Sequence, residues 1–217
     1  MNRDLKLCGV VARIAVATTI ALGLPACGDK APDVATEPTV AAGAVSDDRI
    51  RSNHDEPGAW LAHGRSYDEQ RFSPLTDING DNVDRLGLAW YMDLGTKRAQ
   101  ESTPIVVDGV MYFSSTWSRV YAIDAATGDV HWKYDPKVPG EWARRLCCDV
   151  VNRGVAVYQG RVYVGTLDGR LIALDAASGE PAWEVDTLID RERFYSITGA
   201  PRVANGKVYI GNGGAEF

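Results

Sequence analysis

Two adjacent cysteines are the residues of this sequence with the most distinctive chemistry. Cys147 and Cys148 lie in the stretch "GEWARRLCCDVVNRG", residues 140–154, and the chain of 217 residues has only four cysteines. Bonded neighbours have Cα atoms about 3.8 Å apart, whereas a disulfide normally needs at least about 4.4 Å, so a bridge between them would strain its backbone. It would close almost no loop and stabilise the fold little. The residues alone leave two states open, a strained disulfide that forms a rigid plate or two buried reduced thiols.

Further side chains could bind an anionic or metal-containing ligand. Arg153 can donate two parallel N–H bonds to a carboxylate, and Thr198 can donate its hydroxyl. Glu216 offers hard oxygen, which calcium prefers. Each also has a plainer interpretation, because Glu101 and Arg153 could form a surface ion pair and Glu216 could be solvated.

A sequence repeat must position these residues. "AIDAATGDVHW", residues 122–132, and "ALDAASGEPAW", residues 173–183, match with an offset of 51, and a third copy begins at "NGKVYIGNGG", residues 205–214. The apolar runs are typical of strands, and the Asp and Gly of each copy suit a hairpin turn with positive φ. No segment beyond the N-terminus shows a long helical period. We therefore expect an all-β fold.

The length of the repeat favours a β-propeller over other all-β architectures. Units of about 45–50 residues have the size of one four-stranded β-propeller blade, whereas the repeats of a β-solenoid, the alternative, are usually shorter. Trp90, Trp132 and Trp183 each follow a turn. We expect their rings to fill the space between blades, with each indole N–H bonded to a backbone carbonyl. A closed propeller needs more residues than these, so we expect only the opening blades.

The N-terminus is typical of a targeting segment. Residues 1–26 combine basic residues with the apolar run "IAVATTIALGL", and "LPAC", which ends at Cys27, resembles the lipobox of bacterial lipoproteins. The resemblance implies cleavage before Cys27 and lipidation of its thiol. An ordinary secretory signal with an incidental cysteine is the alternative. Gly28 follows instead of aspartate, which favours an outer-membrane anchor with the protein on the periplasmic side.

The segment after the cysteine has a different composition from the repeats. Residues 27–57 are rich in Ala, Pro, Asp and Thr and have no apolar period, so we expect a flexible tether there. Propeller blades are then expected over residues 58–217. A lipidated cysteine followed by a tether places the folded part outside the cytoplasm, where disulfides persist.

Composition excludes two classes of protein. Apolar residues make up 45% of the chain and aromatic residues 9%, which is typical of a globular protein and not of a disordered one. The formal net charge is −6 and there is no Lys/Arg cluster, which argues against a nucleic-acid partner. The histidines His54, His63 and His131 lack metal-ligand spacing.

The repeat and the cysteine segment together resemble one family. The pattern Ala-x-Asp-x-x-Thr-Gly-x-x-x-Trp, with Ser178 replacing Thr in the second copy, is similar to the pyrroloquinoline-quinone (PQQ) repeat. The text from Trp60 to Phe217, above all Cys-Cys-Asp-x-x-x-Arg-Gly, resembles the N-terminal part of PQQ-dependent alcohol dehydrogenases of the quinohaemoprotein type. This resemblance implies an eight-bladed β-propeller that holds PQQ and a calcium ion near its axis. The implied reaction is oxidation of alcohols to aldehydes by hydride transfer to the quinone, with cytochrome c or a quinone as electron acceptor.

The same resemblance implies roles for individual residues. The two neighbouring cysteines match a vicinal disulfide that lies flat against one face of the quinone. The implied cofactor contacts are Glu101, Cys147, Cys148, Arg153, Thr198, Gly214 and Ala215, and the implied calcium ligand is Glu216.

Other parts that the family needs are expected beyond Phe217. They are the remaining calcium ligands, the catalytic aspartate and any domain with haem c, since no Cys-x-x-Cys-His motif occurs here. We therefore expect this chain, made alone, to be inactive. Two rival functions stay open. A propeller lipoprotein scaffold for outer-membrane protein assembly would have no use for the cysteine pair or for Arg153, Thr198 and Glu216. A sugar-oxidising dehydrogenase of the same superfamily would usually lack adjacent cysteines.

Overall fold

The computed structural model describes residues 41–146 and 148–214. Its helical segments are α1 (Asp47–Arg51) and the 3-10 segments Asn53–Asp55, Val83–Arg85, Thr116–Ser118 and Gly140–Arg145. No helix in this described part is long and apolar enough to span a bilayer. The strands are β1 (Ile105–Val107), β2 (Val110–Ser114), β3 (Val120–Asp124), β4 (Val130–Tyr134), β5 (Ala156–Tyr158), β6 (Arg161–Gly165), β7 (Arg170–Asp175), β8 (Pro181–Asp186), β9 (Tyr195–Ser196), β10 (Arg202–Ala204), β11 (Lys207–Tyr209) and β12 (Gly213–Gly214).

Two four-stranded antiparallel sheets form the centre of the chain. Their strand orders are β1-β2-β3-β4 and β5-β6-β7-β8, and β10 with β11 begins the third copy of the repeat. Both sheets shift register between the same two positions, after Ala122 in the first sheet and after Ala173 in the second. The sheets are therefore two copies of one blade, and the prediction of an all-β propeller fold is confirmed.

The first turn of every copy has a left-handed backbone. The turns are residues 108–109 (Asp-Gly), 159–160 (Gln-Gly) and 205–206 (Asn-Gly), and φ is positive at both residues of each. Positive φ at both central residues is the mark of a type I′ hairpin turn, whose twist matches that of the strands it joins. The repeat therefore keeps this turn although its first residue differs in each copy.

Trp132 of β4 joins the first blade to the second. Its ring is 8% exposed, and its indole N–H donates to the carbonyl of Ala176 at 3.1 Å. Gly179, in the same turn, has φ of 75°, and a Cβ built there would lie 2.6 Å from the indole. The turn of the second blade thus needs glycine for its backbone and for the tryptophan that packs on it.

The same contact recurs one blade earlier. The indole of Trp90 donates to the carbonyl of Ala125 at 3.2 Å, and a Cβ on Gly128 would lie 2.7 Å from its ring. The packing predicted for Trp90 and Trp132 is confirmed by these contacts. Trp183, the third member, remains 43% exposed on β8.

The structure differs from the predicted tether over residues 41–57. Val45 and Ile50 are 1% and 0% exposed and belong to the same apolar core as β1 and the second blade. The carbonyls of Gly43 and Val45 accept bonds from the backbone N–H groups of residues 160 and 159, both at 2.9 Å. Two buried aliphatic side chains and these bonds are enough to order a segment that lacks an apolar period. We call residues 41–62 the N-terminal strap.

Two charged residues fix the strap to the first turns of the blades. The carboxylate of Asp47 accepts bonds from the hydroxyls of Tyr67 at 2.5 Å and Tyr158 at 2.6 Å, and from the backbone N–H of Asn205 at 2.9 Å. Arg49 forms an ion pair with Asp108 at 2.6 Å. The strap therefore contacts the first turn of the first, second and third copies.

The Asp47 contacts predict a specific pH dependence. The hydroxyls of Tyr158 and Tyr67 and the backbone N–H of Asn205 lower the pKa of Asp47 from 3.8 to about 2. Because the folded pKa is depressed, the contribution is complete above about pH 4 and is lost as the pH falls through about 2. Urea unfolding of the chain between pH 5 and 2 should show this loss. The Asp47→Asn variant should be less stable at pH 5 and change less on acidification, and parallel profiles for the two proteins would contradict the assignment.

Candidate functional site

The predicted site residues that fall within the described part of the chain lie at the end of the sheets opposite the strap. In an antiparallel sheet of consecutive strands, the first and third turns emerge at one end, and the second turn and the connection to the next sheet emerge at the other. The strap crosses the first turns. The connection from β4 to β5, which carries Cys148 and Arg153, and the turns at 115–119 and 166–169 lie at the other end.

Backbone hydrogen bonds align the inner edges of the three copies at this end. The N–H of Thr103 donates to the carbonyl of Arg153 at 3.1 Å, and the N–H of Arg153 donates to the carbonyl of Thr198 at 2.9 Å. Thr103 also pairs with Gly154 in a parallel bridge. Residues far apart in sequence are thereby placed side by side, and Glu101 lies two residues before this ladder.

The side chains of three predicted residues meet at the ladder. Arg153 Nη2 lies 2.9 Å from Glu101 Oε2, and Arg153 Nη1 donates to Thr198 Oγ1 at 2.8 Å. The ion pair is 41% and 37% exposed, so solvent screening limits its contribution to stability to about 0–1 kcal/mol. Its main consequence is orientation, because both partners hold the guanidinium toward the neighbouring cavity.

A cavity of about 280 Å³ lies beside Arg153. Besides Arg153, three of the predicted cofactor contacts line it: Cys148, Thr198 and Gly214. Glu101 is not among the lining residues, but it is paired with the Arg153 guanidinium. The lining residues are Arg145, Leu146, Cys148, Asp149, Val151, Arg153, Ser196, Thr198, Gly213 and Gly214.

Cys148 forms an exposed part of this wall. It is disulfide-bonded. Cys147 lies outside the described residues, so a bond between the two remains a prediction. Ala215 and Glu216 also lie outside them. The described residues contain no group of three or more His, Cys, Asp or Glu side chains that could hold a metal ion.

Gly214 also lines the cavity, and the residue at this position must be glycine for a structural reason. It pairs with Tyr195 across β9 and β12 and has φ of 95°. A Cβ built there would lie 2.0 Å from the carbonyl oxygen of Phe194. Glycine is therefore required by the pairing of the two strands, whether or not a ligand approaches the backbone here.

Arg145 extends across the cavity from the 3-10 segment before the cysteines. Its guanidinium lies 4.4 Å from the ring centroid of Trp142 and 5.4 Å from that of Phe194, and it donates to the carbonyl of Arg191 at 2.7 Å. A guanidinium between two aromatic rings is held by its charge and its flat face. Arg145 therefore links the two segments that flank the cavity and adds a second cation to its wall.

Asn152 is a site residue that the sequence did not reveal. Its side chain is buried, and its Oδ1 accepts from Ser114 Oγ at 2.7 Å and from the Gly154 N–H at 3.1 Å. Its Nδ2 donates to Ser118 Oγ at 3.1 Å and to the Gly165 carbonyl at 2.8 Å. The amide thus fixes the residue before Arg153 to both blades. It lies within the quoted cysteine segment, but nothing in one sequence indicates its partners.

A second cavity, of about 440 Å³, is lined by Arg153 together with residues that include His63 and Arg202. The pKa of His63 is lowered mainly by burial and further by the charges of Arg202 and Arg71, so the imidazole is neutral near pH 7. Arg153 therefore lines two cavities, and within the described part of the chain Cys148 lines the smaller of them.

The arrangement beside Cys148 is suited to a flat anionic ligand. A disulfide and aliphatic groups offer a face, whereas Arg145, Arg153 and Thr198 offer cationic and hydroxyl donors. Few polar groups in a mostly apolar wall fix the orientation of a ligand.

The comparison with protein families identifies the class. Residues 60–213 match the PQQ family described as "Glucose/ethanol/alcohol dehydrogenase, beta-propeller domain". The match covers more than half of the chain, which therefore belongs to this family.

Individual members of the family that are similar to this chain have names of alcohol dehydrogenases. "Quinohemoprotein alcohol dehydrogenase ADH-IIG" from Pseudomonas putida is 59% identical over 169 residues, 78% of this chain and 24% of the relative. "1-butanol dehydrogenase (cytochrome c)" from Thauera butanivorans is 57% identical over 160 residues, 74% of this chain and 23% of the relative. The crystal structure of quinohemoprotein alcohol dehydrogenase from Comamonas testosteroni superposes with a TM-score of 0.78 and 52% identity, over 81% of this chain and 26% of that one. The chain spans about a quarter of the length of these relatives.

The Asn152 network predicts a large effect of one small substitution. Asn152→Ala would leave the buried Gly165 carbonyl and the buried Gly154 N–H without their partner. This should lower the free energy of unfolding by about 2–3 kcal/mol. Equilibrium urea unfolding of the chain should show this loss of stability. Gln70→Ala, which removes an exposed amide from a loop, is the control and should change the free energy of unfolding by less than about 0.5 kcal/mol. Equal effects of the two substitutions would contradict the role given to Asn152.

Proposed function

We propose that this chain is the N-terminal, PQQ-binding part of a quinoprotein that oxidises alcohols to aldehydes. The observation that carries the proposal is the cavity that joins Cys148, Arg153, Thr198 and Gly214 in a chain of this family. The relatives compared above bear the names of alcohol dehydrogenases. Because the chain spans about a quarter of their length, the activity of a whole protein is inferred from them and not from this chain alone.

The described residues fit PQQ, a flat quinone with three carboxylates. Two of the five N–H donors of Arg153 are used by Glu101 and Thr198, so others are available to a ligand carboxylate. The cavity volume lies just below the usual range of about 300–1,000 Å³ for small-molecule sites. Such a volume is consistent with a site to which these blades contribute one wall and part of the rim.

Bound PQQ would supply the two-electron oxidising chemistry for the alcohol. The residues of this chain would bind and orient it. Arg153 and Thr198 would hold the carboxylate-bearing edge, and the disulfide of Cys148 would cover one face and exclude water from it. Glu101 would keep the guanidinium of Arg153 in the orientation that the ligand needs. A scaffold lipoprotein would gain nothing from this set of donors.

Several finer assignments belong to the same proposal. The family resemblance supports calcium bound by Glu216, a backbone contact at Ala215, haem c in a further domain, and cytochrome c or a quinone as electron acceptor. Lipidation of Cys27 and a periplasmic, outer-membrane location rest on the lipobox resemblance alone. These residues lie outside the described part of the chain.

We further propose that Cys147 and Cys148 are bonded to each other. The disulfide state of Cys148 and its position in the cavity wall support the pairing. Mass spectrometry of a peptic digest prepared without reduction should find one peptide, containing both residues, that is two hydrogens lighter than its reduced form. The reduced and alkylated chain is the control. A linkage of Cys148 to another cysteine, or two free thiols, would remove the flat plate from the proposed site.

The binding proposal can be tested by transplanting the described site. Residues 60–214 would replace the matching segment of the Comamonas testosteroni enzyme, and PQQ affinity and ethanol oxidation of the chimera would be measured. We expect PQQ-dependent activity, and we expect Arg153→Lys in the chimera to weaken PQQ binding about tenfold or more, because a charge-assisted bond is lost.

Arg161→Lys is the matched control, since Arg161 pairs with Asp175 away from the cavity. It should leave PQQ affinity unchanged. A folded chimera that binds no PQQ would contradict the proposed function. An affinity that survives Arg153→Lys would contradict the role of Arg153.

A further inference from the structure

The residue directly after Cys148 is held in an unusual backbone conformation by a distant side chain. Asp149 has φ of 68°, in the left-handed region, and its carboxylate forms an ion pair with Arg98 Nη1. Arg98 lies 51 residues earlier in the chain, in the segment between Val83–Arg85 and β1. The two side chains are 33% and 49% exposed.

Trp117 provides a second contact to the same place. The guanidinium of Arg98 lies 6.0 Å from the ring centroid of Trp117, and the backbone N–H of Trp117 donates to the carbonyl of Val150 at 3.0 Å. Trp117 itself has φ of 64° and ψ of 22°, which is an outlier for a bulky residue. The guanidinium of Arg98 thus contacts both the carboxylate of Asp149 and the ring of Trp117. The backbone N–H of Trp117 is in turn bonded to Val150, the residue after Asp149.

The identity of Arg98 suits this position. A guanidinium is flat and presents forked donors, so it can stack on an indole and pair with a carboxylate at once, whereas an ammonium group presents a point charge. Lys97, the neighbouring cation, is exposed and has no such contacts in the described part of the chain. Of the two neighbouring cations, Lys97 and Arg98, it is therefore Arg98 that makes this contact.

The pair also affects the charge of the cavity wall. Asp149 lines the cavity with Cys148 and Arg153, and an unpaired carboxylate there would repel an anionic ligand. Arg98 neutralises that charge while it holds the backbone. Segments from before β1, from the turn after β2 and from the β4–β5 connection meet in this way next to the disulfide.

We propose that Arg98 is a positioning residue for the cavity wall that carries Cys148, acting through Asp149 and Trp117. We call the Arg98–Asp149–Trp117 contact the latch. Its importance for cofactor binding rests on the proposed function, whereas the latch itself does not. The latch holds the left-handed turn at Asp149 closed and keeps Val150 within reach of the Trp117 N–H.

Hydrogen exchange of the 217-residue chain, without any quinone, tests the latch directly. The Trp117 amide reports on its bond to Val150, and the amides of β6 and β7 report on global unfolding. In Arg98→Ala and in Asp149→Asn, the Trp117 amide should exchange about two- to fivefold faster, the range that an exposed ion pair supports. The amides of β6 and β7 should be unchanged. Asn tolerates the left-handed conformation, so Asp149→Asn removes the charge and leaves the backbone preference.

Two further variants separate the latch from a general loss of structure. The double variant should exchange no faster than Arg98→Ala alone, because the loss of Arg98 already removes both contacts of the latch, to Asp149 and to the Trp117 ring. Lys97→Ala, which removes an adjacent positive charge, should behave as the original chain does. Unchanged exchange at Trp117 in Asp149→Asn, or additive effects in the double variant, would overturn the proposal. Because no quinone is present, failure of the latch and failure of the PQQ proposal remain separate results.

Discussion

The buried amide of Asn152 is the contact on which both the blade interface and the site depend. A side-chain amide has two donors and two principal acceptor positions, and here every direction is used within the protein. Its partners belong to β2, to the turn after β2, to the end of β6 and to the backbone beside Arg153. A shift of one blade against the other would break at least one buried bond, and the position of Arg153 would change with it. The position of Arg153 in the cavity wall is therefore set by the same interaction that sets the spacing of the blades.

The two ends of the blades have different physical requirements. At the strap end, positive φ is found at glycines and at turn residues of the type I′ hairpins, and tryptophan rings pack on the glycines of the third turns. At the other end, positive φ is found at Gly154, Gly169 and Gly214, but also at four residues other than glycine that lie outside type I′ hairpins: Trp117, Ser118, Lys137 and Asp149. Such conformations cost on the order of 1–3 kcal/mol each in residues other than glycine, and they persist where surrounding contacts enforce them. One end is built for stability, and the other holds less favourable geometry around a cavity.

The sequence predicted those parts of the fold that depend on local pattern. Strand alternation, the Asp and Gly of the hairpins and the recurring tryptophans are short-range signals, so the blade and its repeat were accessible from the residues alone. The meeting of Arg153, Thr198 and Glu101 was accessible only through a family resemblance. Asn152 could not be predicted because three of its four partners, Ser114, Ser118 and Gly165, lie far from it in the sequence. Arg98 is one of 23 Lys and Arg residues, and nothing local distinguishes it. The order in residues 41–57 was missed because two buried aliphatic residues, Val45 and Ile50, give no periodic signal.

The N-terminal strap changes how the repeats can lose their structure. Repeats that contact only their neighbours behave approximately as a one-dimensional array, in which a terminal unit can open while the others remain folded. Asp47 binds the third copy while Arg49 binds the first, so the strap couples units that are not adjacent. Opening of the third copy must then also break the hydrogen bond from the Asn205 N–H to Asp47 on a strap that Arg49 ties to the first copy. The strap thereby favours a single concerted transition over a sequence of independent steps when the chain is unfolded by heat or denaturant.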